Sequence, residues 1–309
     1  MNRRDFMHHA GWTGLGLLWT MTGSGLANSF RLGTPSAQAA ERGSLSFVQI
    51  SDSHIGFHQA ANPDVTGTLA RSVATINAMP VPPAFVIHTG DLTHLSKPDE
   101  FQKVKGLLAE LKVPLLTIPG EHDVIGDDGR GYFSAFGRKD APRGWYSWDQ
   151  GGTHFVALQN VLDFGTKNMG VLGADQLAWL KRDLAPLASD TPVVVFSHIP
   201  LYPEYPQWGW ATEDAPVAMA LLKRFAAVTV LCGHIHQVIH HAEGAIRYAT
   251  AASTAYPQVA PGRADHAGPL TLPADQLPMA IGIRQVTTAP GQQIVIADST
   301  MATMAPLRR

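Results

Sequence analysis

The sequence predicts an α/β fold in which parallel strands are covered on both faces by helices. Three observations lead there. Short Val, Ile and Leu runs recur without the polar alternation of a half-solvated strand. Amphipathic helical segments alternate with these runs, and the order βαβαβ implies parallel pairing through right-handed crossovers. Five of the apolar runs pass directly into short loops carrying Asp, Glu or His, and the crevice beyond the carboxyl ends of such strands is where open α/β sheets build sites.

Leu45–Ile50 (LSFVQI) reads as the first strand and residues 65–79 as the first helix. Residues 84–88 (AFVIH) form the second strand, and 99–111, behind Pro98, the second helix. Residues 113–118 (VPLLTI) give a third strand. A strand at 154–158, a helix at 174–184, a strand at 193–196, a helix near 215–225 and a strand at 228–232 complete the pattern. Residues 263–280, rich in Pro, Ala and Gly, read as a flexible excursion, and 281–298 as a closing hairpin around Ala289, Pro290 and Gly291.

The residues after each strand carry the chemistry. The first strand is followed by Ser51, Asp52, Ser53 and His54, the second by Thr89, Gly90 and Asp91. The third runs into Pro119, Gly120, Glu121, His122 and Asp123. Ser197 and His198 follow VVVF, and Gly233, His234, Ile235 and His236 follow VTVLC. Three carboxylates and four imidazoles thus arrive at one edge of the sheet, besides His122 and Asp123. A single Asp-x-His or a lone His after a strand is weak, but His-x-His places two rings on one face of an extended chain. Glycines at 90, 120 and 233 permit the positive φ and close backbone approach that crowded ligand loops need. Five such strand ends together point to metal.

DSH, GD, GEHD, SH and GHIH, in this order, resemble the calcineurin-like metallophosphoesterase superfamily over residues 45–255. The resemblance implies two β-sheets sandwiched between helices, an αββα sandwich, holding two metal ions bridged by an aspartate. Asp52, His54, Asp91 and His236 would hold the first metal, with Asp91 bridging. Glu121, His198 and His234 would hold the second. His122 would protonate the leaving group, oriented by Asp123. Mixed imidazole and carboxylate donors suit Mn, Fe or Zn rather than Mg or Ca. Two such ions can polarise a phosphoryl oxygen and activate water near neutral pH, which implies hydrolysis of small phosphate esters, monoester or diester. The family places a neutral asparagine where this chain has Glu121, so the site carries one more negative charge and should disfavour doubly charged monoesters. Purple acid phosphatases carry a metal-bound tyrosine shortly after the Gly-Asp aspartate; here Leu92, Thr93 and His94 follow.

Residues 1–39 resemble a twin-arginine export signal: Arg3 and Arg4 precede Phe6, a weakly apolar stretch follows, and Ala37, Gln38 and Ala39 offer a cleavage pattern. The expectation is a periplasmic enzyme exported through the twin-arginine machinery, with no membrane anchor after cleavage and one domain over 40–309. Removing residues 1–39 takes three arginines and one aspartate and moves the formal charge from −2 to −4. That balance argues against a nucleic-acid partner and disfavours a nuclease of this superfamily. The single Cys232 forms no internal disulfide and reads as a buried small apolar group. The aromatic, proline-rich stretch 201–210 (LYPEYPQWGW) either caps a core or forms a wall beside a substrate. His94 lies close enough to Asp91 to touch a ligand, whereas His88 and His154 read as structural. A metal-binding, non-catalytic partner protein of the same fold is the competing function, motivated by Glu121 and the aromatic loop.

Overall fold

A computed structural model describes residues 44–289 and 293–304, and the backbone of 17–21 and 27–31. Leu17–Met21 (β1) pairs antiparallel with Ala27–Arg31 (β2). Arg3, Arg4 and the 37–39 cleavage pattern lie outside the described residues.

The strand expectations hold, with the second and third strands shorter than expected. Leu45–Ile50 (β3) pairs in parallel with Val86–His88 (β4), which pairs in parallel with Leu115–Thr117 (β5). Pro114 has no N–H to give the ladder, so β5 starts one residue later. Tyr146–Gln150 (β6), Thr153–Ala157 (β7), Val193–Ser197 (β8) and Val228–Cys232 (β9) belong to a second sheet. His240–Glu243 (β10) and Ile246–Thr250 (β11) extend it. The closing hairpin forms as Gly282–Thr288 (β12) against Val295–Thr300 (β13), with Pro290 and Gly291 outside the described residues. The two sheets run β10-β11-β9-β8-β7-β6 and β13-β12-β3-β4-β5.

The helices are Val65–Asn77 (α1), Pro98–Leu108 (α2), Arg130–Phe136 (α3), Ala174–Leu184 (α4), Ala215–Leu222 (α5) and Leu277–Ala280 (α6). Three of them stop before the sequence pattern does, for one reason. Met79, Leu111 and Phe225 bond three residues back, to Ile76, Leu108 and Leu222, so each last turn tightens out of α geometry. The 263–280 stretch is less irregular than expected: α6 ends it, and a hairpin-like bridge pairs Gln258 with Pro269.

Three apolar layers explain why the strands lack polar alternation. Val48, Ile50 and Val86 pack outward on Leu69, Val73 and Ile76 of α1 and Phe101 and Val104 of α2. Val193, Val195, Val228 and Val230 pack outward on Leu180 and Leu184 of α4 and Ala218 and Leu222 of α5. The alternate residues Phe47, Ile87, Phe155, Val194, Phe196 and Leu231 meet between the sheets. Strands β3, β4, β7, β8 and β9 therefore bury both faces. The rings of Phe47 and Phe85 stack at 4.8 Å, and Phe155 and Phe196 meet Phe47 edge-on at 5.7 Å. At that inter-sheet seam the carboxyl ends of β3, β4, β8 and β9 come level. Among the described residues no helix is long and apolar enough to cross a membrane.

Candidate active site

All seven expected ligands converge at that edge. They form two groups of donors, Asp52 with His54 and His236, and Glu121 with His198 and His234. Asp91 stands between them: its Oδ2 lies 3.4 Å from His54 Nε2 and 3.5 Å from His198 Nε2. Asp52 Oδ1 is 3.4 Å from His236 Nε2 and 4.0 Å from His198 Nε2. Glu121 spans the second group, with Oε2 2.7 Å from His198 Nε2 and Oε1 2.8 Å from His234 Nδ1.

The loops that present these groups are tight. Asp52, His54, Asp91, His234 and His236 all adopt left-handed backbone, with φ of 55°, 41°, 55°, 70° and 58°. Each such non-glycine residue costs about 1–3 kcal/mol, and strain of this kind gathers at functional sites. The glycines answer for close approach. A Cβ at Gly120 would lie 2.1 Å from Asp91 Oδ1, and one at Gly90 (φ 98°) 2.4 Å from His198 Nδ1.

Ring partners define which imidazole nitrogen faces the centre. His198 Nδ1 donates to the Thr89 carbonyl at 2.7 Å and His236 Nδ1 to the Tyr256 carbonyl at 2.6 Å. In the neutral rings that leaves Nε2 of each as a lone-pair donor. Burial, reinforced by His122, His236 and His94, pushes His54 well below the usual imidazole range and keeps it neutral. Burial would raise the Asp52 carboxyl, but His236 and His198 hold it at about 2. His198 moves the other way: Asp91 and Glu121 outweigh burial and raise it well above the usual value.

Do these residues fit metal? Glu121 Oε2, His198 Nε2 and both ring nitrogens of His234 are buried atoms without a hydrogen-bond partner, although Glu121 touches both rings. Side chains that converge without hydrogen-bond alignment, each with a lone pair to offer, suit a shared cation better than one another. The donor set of imidazoles and carboxylates fits two metal ions.

One expectation fails. Asp123 does not orient His122. The His122 Nδ1 donates to the His94 carbonyl at 2.6 Å, and the Asp123 carboxylate accepts from Leu92, Thr93 and Gly120 backbone N–H and the Thr93 hydroxyl. Asp123 ends a 3₁₀ turn (Glu121–Asp123) and points beneath it, fully buried, so its carboxylate ties the 90–93 loop to the 120–123 loop. Burial and nearby Asp91 push it up to about 7, against the pull of those N–H groups. His122 itself keeps its place: burial works against its protonated form, but Asp91, Glu121 and the His94 carbonyl raise it above the usual value.

His94 does more than the sequence suggested. Its ring stacks on His122 with centroids 5.0 Å apart, and its Nδ1 lies 3.4 Å from His54 Nδ1. The only signal in the sequence was its distance from Asp91, because a backbone carbonyl carries no residue type. His88 and His154 are structural as expected, bonded to Ser53, and to Asp149 and Asp183. Cys232 is buried against Ser197, which with burial leaves its thiol at about 11. In the aromatic stretch, Trp210 is fully buried and Tyr202 stacks on His241 at 4.2 Å, so most of it caps the core.

Comparison with known proteins agrees. Residues 45–238 match the family described as Metallophos, calcineurin-like phosphoesterase. The glycerophosphodiester phosphodiesterase GpdQ of Enterobacter lignolyticus is 30% identical over 185 residues, 57% of this chain and 64% of that one. A probable cyclic nucleotide phosphodiesterase of Rhodopseudomonas palustris is 29% identical over 163 residues, 50% of this chain and 57% of that one. The matches thus span less than two thirds of either relative. A dimetal phosphatase from Danio rerio, 15% identical, superposes with a TM-score of 0.60 over 84% of this chain and 99% of its own, a likeness of fold. With the αββα sandwich, the two donor groups and a family match over most of the described domain, this chain belongs to the calcineurin-like phosphoesterase family.

Proposed function

We propose that the chain is a periplasmic, two-metal hydrolase of small phosphate esters with a preference for diesters. The observation that carries this reading is Asp91 Oδ2, 3.4 and 3.5 Å from one imidazole of each donor group. Bound there, two metal ions supply the Lewis acidity that activates water and a phosphoryl oxygen. The chain's own part is positional and protonic. Asp52, His54, Asp91 and His236 would hold one ion, and Asp91, Glu121, His198 and His234 the other. His122, with Nδ1 committed to the His94 carbonyl, has Nε2 left to carry a proton to the departing oxygen.

Glu121 takes the place of the family's asparagine in this reading and leaves two divalent ions with a net charge of +1 over three carboxylates. That favours a singly charged diester over a doubly charged monoester. One relative is named a glycerophosphodiester phosphodiesterase and another a probable cyclic nucleotide phosphodiesterase, which supports a diester. Export through the twin-arginine route rests on Arg3 and Arg4; changing both to Lys should hold the precursor in the cytoplasm.

The direct test is turnover of bis-p-nitrophenyl phosphate and p-nitrophenyl phosphate by protein reconstituted with Mn, Zn or Fe. Diester turnover should exceed monoester turnover. Full metal occupancy with no turnover of either would leave a metal-binding, non-catalytic protein.

A further inference from the structure

A single hydroxyl joins the loop after β4 to the turn that carries His122. Ser96 Oγ donates to the His122 carbonyl at 2.8 Å and accepts the Ile125 N–H at 3.0 Å. Among the described residues no backbone N–H bonds that carbonyl. Thr93 Oγ1 lies 3.3 Å from it, but the one Thr93 hydroxyl proton has the Asp123 carboxylate nearer, at 2.9 Å. Ser96 is therefore the carbonyl's main donor, and it ties together two points on either side of Asp123.

Ser96 is itself firmly placed. The N–H groups on either side of it, of Leu95 and Lys97, both donate to Glu100 Oε2, at 2.7 and 3.4 Å. Glu100 stands buried in the first turn of α2, and a Cβ at Gly56 would collide with its other oxygen. Between these anchors Ser96 adopts left-handed backbone, with φ 54°. Such a conformation is uncommon for serine and persists where the surroundings over-determine it. The rest of His122 is held as well: its N–H donates to Asp91 Oδ1 at 2.9 Å and its Nδ1 to the His94 carbonyl. The Nδ1 bond sets how the ring is turned. The two backbone bonds, to Asp91 and from Ser96, set where the ring starts.

We infer that Ser96 is a positioning residue for proton transfer, its hydroxyl pinning the His122 carbonyl and the Ile125 N–H so that His122 Nε2 stays aimed at the departing oxygen. The inference rests on the reading of His122 as the acid and names what holds that acid in place. Without the hydroxyl, both backbone groups lose this partner and the 122–125 segment is free to shift. A displacement of about 1 Å can cost on the order of 100-fold in rate. A residue that acts only through the acid matters in proportion to the leaving oxygen's need for a proton. A 4-nitrophenolate, a weak base, departs with little help, whereas phenolate needs more.

Aryl methyl phosphates that differ only in the ring, 4-nitrophenyl, 4-chlorophenyl and phenyl, test it on protein reconstituted with one metal. Ser96→Ala should lower kcat for the phenyl ester roughly tenfold more than for the 4-nitrophenyl ester, with KM and metal content little changed. Ser96→Gly, which relieves the left-handed backbone, should steepen the leaving-group dependence in the same way, with folding of both variants checked by thermal melting. His122→Ala should steepen it further, and adding Ser96→Ala to that variant should steepen it no more, since the hydroxyl acts through the ring. An equal loss for all three esters in Ser96→Ala would overturn the inference and leave the phosphoesterase reading intact. So would an unaltered leaving-group dependence in Ser96→Gly, or further steepening on the His122→Ala background. No steepening in His122→Ala would instead overturn the assignment of His122 as the acid, and the inference with it.

Discussion

The two halves of the metal site are built differently. Asp52, His54 and His236 are buried to 1% exposure or less, each in left-handed backbone. His236 is fixed by the Tyr256 carbonyl, His54 is approached by His94, and His234 N–H reaches both oxygens of Asp52 at 3.1 and 3.2 Å. The other half is looser. The side chain of Glu121 is 25% exposed and that of His234 13%, and only His198 is fully enclosed. Charge differs too: His54 is held neutral, whereas His198 binds a proton readily because Asp91 and Glu121 face it. A proton and a metal compete for that nitrogen. The first half is a rigid socket, and the second an exchangeable one.

Mutations and metal removal can break or sharpen this contrast. The largest effect belongs to the group shared by both halves. Asp91→Asn should lose both metals and lower kcat/KM by more than the roughly 10- to 100-fold typical of a ligand's outer partner, checked by metal analysis with steady-state kinetics. If one metal stays fully bound, Asp91 serves one half alone. Next comes His94→Ala, which removes the ring beside His54 and His122 but leaves the carbonyl. It should weaken the rigid half's metal by about tenfold, read by competition with a chelating dye, with His94→Asn restoring part. Under a graded chelator titration, or as pH is lowered, one metal should leave well before the other, and Glu121→Asn should alter only the early phase. A single-phase loss would make the halves equivalent.

Glu121→Asn should also change selectivity. At about 5 Å and an effective dielectric near 20, one charge is worth about 3 kcal/mol before screening by solvent and metal. Screening leaves an expected rise of about tenfold in monoester relative to diester turnover. An unchanged ratio would mean the carboxylate does not act on the substrate. The smallest effect lies away from the site. Burial opposes the charged form of His154, but Asp183 and Asp149 raise its pKa above 6.5. A raised folded pKa gives stability that is complete below pH 6.5 and is lost as pH climbs through the folded value. His154→Gln should therefore lower Tm at pH 6 and matter less by pH 9, by under about 1 kcal/mol because Asp149 is 75% exposed.

The strand ends were legible because the two signals there are independent: Val, Ile and Leu runs set the strand, and Asp, Gly and His set the loop. Strand β10 was not legible, since His240, His241, Ala242 and Glu243 carry no apolar run and pair only because β11 offers them an edge. Helix α3 was missed for a related reason: its one buried residue is Tyr132. The role of Asp123 and the hold of His94 on His122 escaped because both depend on backbone atoms, N–H groups for one and a carbonyl for the other. Residue types name the side chains that meet; they do not name the main-chain atoms between them.

The left-handed backbone at five ligands has a consequence for anyone redesigning this centre. Aspartate and histidine are among the few residues besides glycine and asparagine that enter that region at modest cost. At 52, 54, 91, 234 and 236 the main chain therefore weights candidates before coordination chemistry does, and exchange for cysteine or glutamate would add backbone strain of up to about 1–3 kcal/mol. Glu121 and His198 sit outside that weighting, with ordinary φ. A library that varies the donors should find its tolerant positions at 121 and 198, and of these 121, partly open to solvent, is where a different charge can be installed without rebuilding a loop.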